Sequence, residues 1–104
     1  MEPDFTGNED IQRFAEHFRR NPDSLVFARL ADAFRKAGDP ERALEILRDG
    51  IRRHPDYASA HIVRARALED LERPSEAEAS LRRVLELDAQ NLVAMRGLAE
   101  LAER

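Results

Sequence analysis

The histidines are the side chains of this sequence best suited to bind a metal ion or to exchange protons near neutral pH. His17, His54 and His61 lie far apart, outside any His-Glu-X-X-His pattern or acidic cluster of the kind that metal sites use. None of the four glycines belongs to a loop that could hold a phosphate group. We therefore predict neither a metal site nor a bound cofactor.

Nucleophilic catalysis is equally unsupported by the residue types and their spacing. The sequence contains no cysteine, which excludes thiol nucleophiles, disulfides and Cys-X-X-Cys redox chemistry. No serine has the flanking glycines of a nucleophile elbow. Neighbouring acids such as Glu76 and Glu78 are interpreted as the solvated side of a helix rather than as a general acid and base. The sequence thus predicts a protein that is not an enzyme.

Pairs of arginines recur at positions 19 and 20, 52 and 53, and 82 and 83. A nucleic-acid surface would gather such pairs on one face and add aromatic rings for stacking, yet the sequence has one Tyr, no Trp and a net charge of −4. Cations near helix ends instead complement the helix dipole. We predict no nucleic-acid partner and, because no apolar stretch is long enough to span a bilayer, no membrane partner.

The apolar residues that surround these charges follow helical spacing, and no alternating run predicts a strand. The pattern predicts six short helices, at 8–20, 24–37, 40–53, 57–72, 75–88 and 91–103. The expected helix-end signals are Asp23, Asp39 and Asp56 as N-caps, Pro40 in a first turn, Gly38 in a left-handed closing position, and Ser75 with Glu78 at capping-box spacing.

The sequence repeats itself with a period of 34 residues: Ala31, Ala65 and Ala99 fall in register, and Pro40 falls on Pro74. Farther upstream the shift is 33 residues, and FRRNPDS at 18–24 matches IRRHPDY at 51–57. Helices of this length are only about 20 Å long. Because a hairpin of two such helices cannot bury its apolar stripe alone, the period predicts a stack of helical hairpins.

Segments 24–57 and 58–91 resemble two tetratricopeptide repeats. Half-repeats at 8–23 and 92–104 flank them, and an acidic leader, 1–7, precedes this single domain, 8–104. The residues that carry the resemblance are Phe27, Leu30, Ala31, Phe34, Ala43, Leu47, Gly50 and Pro55 in the first repeat, and Ala65, Leu68, Ala77, Leu81 and Val84 in the second. The resemblance implies an all-α, right-handed stack of antiparallel hairpins, with Ala31, Ala65 and Gly50 at close helix contacts.

The second repeat departs from the family pattern at two positions. His61 stands where the first repeat has the aromatic Phe27, and Arg64 stands where it has the apolar Leu30. We expect looser packing around the second hairpin.

In this family the first helices of successive repeats line a concave surface, here called the groove. The resemblance predicts that the partner contacts Asp32, Arg35, Lys36, Ile62, Arg66, Glu69, Asp70, Arg96 and Glu100 there, on a surface that Leu25, Ala28, Ser59 and Val93 extend. Family members that grip a peptide's terminal carboxylate carry Lys and Asn where this chain has Ala28 and Asp32, so we do not expect that specificity.

The mixed charges of the groove leave two interpretations open. Arginine holds carboxylates bidentately, so the groove is expected to bind an extended or helical partner segment with acidic and apolar side chains. Alternatively, the charges neutralise one another across adjacent helices. The resulting hypothesis is a non-catalytic adaptor that binds a protein or peptide, with a chaperone-like escort of one client as an alternative.

The C-terminal stretch LVAMRGLAELAER, 92–104, is too apolar for a helix that ends a stack. Val93, Met95, Leu98 and Leu101 surround this helix, and no following hairpin covers them. Either the chain is a piece of a longer array or this end docks, and docking on a second copy would make the protein a homodimerisation module.

The N-terminal residues MEPDFTGNED lack the basic start and apolar run of a secretory signal, so we expect a cytoplasmic protein. The basic residues are sixteen Arg and one Lys, a bias that favours a GC-rich bacterial source.

Overall fold

The computed structural model describes the backbone of residues 5–104 and the side chains of residues 9–104, so the first four residues of the predicted leader lie outside it. The described chain forms six α-helices: α1 (Phe5–Arg20), α2 (Phe27–Lys36), α3 (Pro40–Arg53), α4 (Ala58–Asp70), α5 (Pro74–Leu87) and α6 (Leu92–Ala102). The prediction of six short helices is confirmed. The boundaries differ mainly at α1, which begins at Phe5 inside the predicted leader, and at α2, which begins three residues after Ser24.

Two helix ends use the predicted signals. The Asp39 side chain accepts the Arg42 amide at 3.1 Å and caps α3, and Gly38 has the expected left-handed conformation, with φ 91°. Asn91 caps α6 by accepting the Ala94 amide at 2.9 Å, a cap that the sequence analysis did not identify.

The other predicted caps are wrong. Asp23 and Asp56 do not cap helices, because α2 and α4 begin later and have Val26 and Tyr57 at their N-cap positions. The two carboxylates instead pair with arginines of distant helices: Asp23 with Arg53 at 3.1 Å and Asp56 with Arg83 at 3.2 Å. The predicted capping box at Ser75 and Glu78 also fails. Helix α5 already begins at Pro74, which places Ser75 inside its first turn, and Glu78 pairs with Arg82.

Helices α2 and α3 form the first hairpin, and α4 and α5 form the second. Helix α1 packs on α2, α3 packs on α4, and α5 packs on α6, while α2 also touches α4. The hairpins therefore lie side by side with their first helices adjacent, as in the right-handed hairpin stack that we predicted, in a body of 36 × 35 × 20 Å. No helix within residues 5–104 is both long and apolar enough to cross a lipid bilayer.

The core consists of two neighbouring clusters. Phe27 and Leu47 are central to the cluster in the first hairpin, which extends to α4. Leu81 and Val84 belong to the cluster in the second hairpin, which extends to α6, and Leu44 packs against both clusters. The predicted close contact at Gly50 is confirmed, because a Cβ atom there would lie 2.0 Å from Cδ2 of Phe27.

The second hairpin contains polar side chains at the two positions that depart from the repeat pattern. His61 is buried and its Nε2 donates to the carbonyl oxygen of Pro55 at 2.8 Å. The half-buried Arg64 donates from Nη1 to Oγ of the buried Ser80 at 2.8 Å. A hollow of ≈ 460 Å³ lies beside both residues. The buried polar atoms of the described side chains all have partners, and the looser packing expected around the second hairpin stays a prediction.

Candidate peptide-binding groove

Helices α2, α4 and α6 carry the nine residues that are predicted to contact a partner in the groove. All nine except Asp32 and Lys36 line two adjoining hollows, of ≈ 270 Å³ and ≈ 390 Å³. Of the four residues expected to extend this surface, Val93 lines the smaller hollow, whereas Leu25, Ala28 and Ser59 line neither. Arg66, Glu69 and Glu100 line both hollows, which makes them one continuous surface. The 34-residue period explains this arrangement, because it brings the same face of successive first helices to the same side of the stack.

The floor of the smaller hollow comes from residues that the sequence analysis did not assign to the groove. Ala65, Leu81 and Gly97 line it together with the predicted residues. A Cβ atom at Gly97 would lie 2.8 Å from Cδ1 of Leu81, so the absence of a side chain there brings α6 close to α5. Arg104 also lines the larger hollow, although no pattern in the sequence indicated it.

The charges at the α2 end of the groove neutralise one another. Arg35 donates from Nε to Asp32 at 2.9 Å and from Nη1 to Asp70 at 3.1 Å, and Lys36 lies 3.2 Å from Asp32. The side chains of Asp32 and Arg35 are only 18% and 19% exposed, so this network is screened less by water and salt than a surface pair. It joins the first hairpin to the second through Asp70.

The same network changes the ionisation of its members. Burial disfavours the charged form of Asp32, but the hydrogen bonds and positive charges of Arg35 and Lys36 outweigh burial and hold the pKa of Asp32 below its ordinary value. Burial likewise opposes ionisation of Arg35, yet its bonds to Asp32 and Asp70 raise the pKa of its guanidinium. Both residues are therefore charged at neutral pH and are already paired.

The α4 and α6 end of the groove is different. Glu69 pairs with Arg104 at 3.4 Å, whereas Arg66, Arg96 and Glu100 form no ion pair with any of residues 9–104. Arg66 and Arg96 are exposed and line the smaller hollow together with the apolar Ile62 and Val93. This open end of the groove therefore presents two unpaired guanidinium groups and one unpaired carboxylate next to an aliphatic surface.

The histidines serve local contacts in three different places. His54 Nε2 lies 3.0 Å from the carbonyl oxygen of Asp23, and His17 Nε2 lies 3.2 Å from Ser24 Oγ. The His17–Ser24 contact was not expected from the sequence, but Ser24 Oγ also accepts the Val26 amide at 3.1 Å, so this hydroxyl stabilises a turn. Within residues 9–104, no three His, Asp or Glu side chains are grouped closely enough to hold a metal ion.

The hairpin stack is similar to several solved structures. The first TPR domain of human RPAP3 superimposes with a TM-score of 0.88 at 21% identity, covering 93% of this chain and 77% of that one. The Arabidopsis OM64 TPR domain gives 0.87 at 23% identity, covering 95% and 83%. The first TPR of Spaghetti (RPAP3), bound to an HSP90 peptide, gives 0.87 at 21% identity, covering 94% and 79%.

The sequence comparisons agree with the fold. No curated protein sequence gives a significant match. A family model described as tetratricopeptide repeat matches residues 28–92 and again 62–104, which together span well over half of the chain. This chain therefore belongs to the tetratricopeptide repeat (TPR) family.

Proposed function

We propose that this chain is a non-catalytic scaffold that binds a segment of a partner protein in the groove. The observation that carries the proposal is the open end of the groove, where Arg66 and Arg96 have no ion-pair partner among residues 9–104 and lie beside Ile62 and Val93 in one hollow. A folded chain with a net charge of −4 leaves these two cations unneutralised on a surface that is also apolar.

The residue types at the open end define the partner segment. Arginine binds carboxylates through paired hydrogen bonds, so Arg66 and Arg96 favour Asp or Glu side chains. Ile62 and Val93 favour aliphatic side chains at neighbouring positions of the same segment. The α2 end contributes less binding energy, because Arg35 and Lys36 are already paired with Asp32.

A structural neighbour supports an acidic and apolar peptide as the class of ligand, but it does not support the same mode of peptide recognition in this chain. The peptide bound to the first TPR of Spaghetti, SRMEEVD, combines acidic residues with Met and Val. We do not carry over recognition of a terminal carboxylate to this chain. Ala28 is buried, and the Asp32 carboxylate, which Arg35 and Lys36 already occupy, would repel a second carboxylate.

The test is a pull-down from a lysate of the source organism, followed by mass spectrometry, with three forms of the chain as bait. The wild-type protein should capture a partner at a fixed stoichiometry, and Arg66→Glu with Arg96→Glu should lose it. Arg19→Glu with Arg82→Glu is the matched control, because it makes the same change in charge at exposed residues of α1 and α5. Capture of the partner by the groove variant would exclude the groove as the binding site.

A second candidate function is self-association through α6. Leu92, Val93 and Met95 are 72%, 47% and 42% exposed, and Met95 occupies the position at which Phe27 and His61 are buried in the two hairpins. Leu98 and Leu101 already pack against the second cluster. An exposed apolar helix face favours docking, and a second copy of this chain would present the same face.

Light scattering over a range of concentrations tests this second candidate. A dimer should show a mass that rises with concentration, and Met95→Glu should abolish that rise without unfolding the chain, because the Met95 side chain is exposed. A constant monomeric mass at all concentrations would rule out the dimer.

A further inference from the structure

The hollow beside His61 and Arg64 lies away from the two hollows of the groove, on another face of α4. It has a volume of ≈ 460 Å³ and is called the back hollow here. Leu44, Arg48 and Ile51 of α3 form one wall, His61 and Arg64 of α4 form another, and Arg73 closes it at the start of α5. The back hollow shares no lining residue with the two hollows of the groove.

The back hollow lies at the two positions where the second repeat departs from the first. In the first hairpin the corresponding positions hold Phe27 and Leu30, both buried. In the second hairpin the polar ring of His61 and the cation of Arg64 replace them, which introduces a positive charge. The departure therefore places a cation beside the back hollow.

The guanidinium of Arg64 is held in position and is only partly used. Its Nη1 donates to Ser80 Oγ at 2.8 Å, and it forms no ion pair with any of residues 9–104. A guanidinium has five N–H donors, so most of them remain available for a ligand. The position that corresponds to Ser80 in the first hairpin is the apolar Ile46, so the fixed arginine is specific to the second hairpin.

The surroundings of Arg64 carry an excess of positive charge. Arg48 also lines the back hollow, and the carboxylate nearest to it is that of its neighbour Asp49, at 3.9 Å. Glu45 is the one acid in the lining, and it lies 3.7 Å from Arg42. Arg73 is bonded to Glu76 and adds little. The hydrogen bonds and charge of Arg73 lower the pKa of Glu76, and the positive charge of Arg64 also contributes to this lowering, but the Glu76 carboxylate forms no ion pair with Arg64. The available cations are therefore Arg48 and Arg64.

The apolar part of the back hollow consists of Leu44 and Ile51, which are only partly buried by the core. We propose that the back hollow is a second recognition site for a partner protein, which binds a Glu or Asp side chain between Arg48 and Arg64 and a neighbouring aliphatic side chain against Leu44 and Ile51. This site is independent of the groove, because α4 separates the two.

The test uses a capped tetrapeptide, acetyl-Glu-Leu-Glu-Leu-amide, titrated into the ¹⁵N-labelled chain and followed by NMR. We expect saturable shifts of the backbone amides of Arg48, Ile51 and Arg64. The matched peptide acetyl-Gln-Leu-Gln-Leu-amide removes the charge and should bind this site about tenfold more weakly. Absence of saturation at these amides up to about 5 mM peptide would overturn the proposal.

Variants separate this site from the groove. Arg64→Gln removes the charge but keeps a donor for Ser80, and Arg48→Gln changes an exposed residue with no role in packing, so both should fold and both should weaken binding at the back hollow about tenfold. Arg66→Glu with Arg96→Glu should leave the shifts at the back hollow unchanged, whether or not the groove binds the peptide. The proposal is wrong if the groove variant abolishes those shifts or if the two glutamine variants leave them unchanged.

Discussion

The two hairpins share one backbone arrangement but differ in the side chains that hold it together. In the first, the ring of Phe27 lies over Gly50, stacks on His54 with a centroid distance of 5.9 Å and meets the edge of Tyr57 at 6.0 Å. In the second, the smaller His61 is paired in sequence with the larger Val84 at the position of Gly50. A change of size on one helix is thus matched by the opposite change on the other.

A second pair of positions shows the same exchange in chemical character. Leu30 and Ile46 in the first hairpin correspond to Arg64 and Ser80 in the second, which are joined by a hydrogen bond. The fold therefore tolerates either two apolar side chains or a hydrogen-bonded polar pair at these two positions of a hairpin. The polar version also leaves a cation beside open space, so the hairpin that departs from the repeat pattern is the one that offers an additional binding surface.

The buried leucine at the centre of each hairpin should contribute about equally to the stability of the fold. Leu47 and Leu81 occupy corresponding positions and are both buried. Leu47→Ala and Leu81→Ala should each lower the free energy of unfolding by about 2–5 kcal/mol, through lost burial and the cavity left behind. Urea unfolding measures both values. A cost below about 1 kcal/mol for Leu81→Ala would show that the second hairpin is not packed around this residue.

The matched sizes of Phe27 and Gly50 can be tested by exchanging them for the pair found in the second hairpin. Gly50→Val should lower stability by about 1–3 kcal/mol or more, because even the Cβ atom would overlap the Phe27 ring. Adding Phe27→His should relieve the overlap, so that the double variant is less destabilised than the sum of the two single variants by about 1–3 kcal/mol. Simple additivity in a double-mutant cycle would refute the size exchange.

The polar pair of the second hairpin should be replaceable by the apolar pair of the first. Arg64→Leu with Ser80→Ile should raise the free energy of unfolding by about 1 kcal/mol, because a partly buried charge is exchanged for apolar burial. Arg64→Leu alone should be less stable than the double variant, since it leaves the buried Ser80 hydroxyl without its partner. Denaturant unfolding of the three proteins ranks them, and a double variant less stable than the single variant would contradict the exchange.

The turns inside the two hairpins have different residue types at the position with a left-handed backbone conformation. Gly38 has φ 91° in the first turn, and Glu72 has φ 56° at the corresponding position of the second. Because a side chain disfavours this conformation, Glu72→Gly should stabilise the chain by about 1 kcal/mol, a rise in Tm of about 4 °C or more. Gly38→Ala is the reciprocal variant and should destabilise by a similar amount through conformation alone, since an added Cβ atom would meet nothing within 4 Å. Thermal unfolding that leaves Tm unchanged in both variants would argue against strain at Glu72.

The repeat period predicts a stack of helical hairpins, and the structure has one. Gly50 lies at a close contact with Phe27, and Ala31 and Ala65 are fully buried, at positions that recur in the repeat. The caps at Asp23 and Asp56 were predicted wrongly because α2 and α4 begin later than the local pattern indicates. Both carboxylates pair instead with arginines about thirty residues away, and local spacing carries no information on such pairs.

The same limit applies to the charges in the groove. Their positions follow from the period, but which of them cancel depends on contacts such as Arg35 with Asp70 and Arg104 with Glu69, each 35 residues apart. The sequence left neutralisation and partner binding as equal alternatives. In the folded chain the α2 end follows the first alternative, and the unpaired Arg66 and Arg96 keep the second open.

The ion-pair network of Asp32, Arg35 and Asp70, which links the two hairpins, should give the smallest of these changes in stability. Its contribution depends on pH. The pKa of Asp32 in the folded chain lies below its ordinary value of 3.8. The ion pairs of Asp32 therefore stabilise the fold fully at pH values above the pKa of Asp32 in the unfolded chain. This stabilisation is lost as the pH falls through the lower pKa that Asp32 has in the folded chain. Asp32→Asn should therefore cost about 1 kcal/mol or less at pH 7, and the difference from wild type should shrink below about pH 4.

Urea unfolding at pH 7 and at about pH 3 measures this change, with Asp49→Asn as the control. Asp49 also contacts an arginine, at 3.3 Å, but its side chain is 65% exposed and joins no second hairpin. A pair of that kind contributes little to stability, so Asp49→Asn should be close to neutral at both pH values. A difference between Asp32→Asn and wild type that persists unchanged at low pH would mean that the carboxylate of Asp32 acts through its shape and not through its charge.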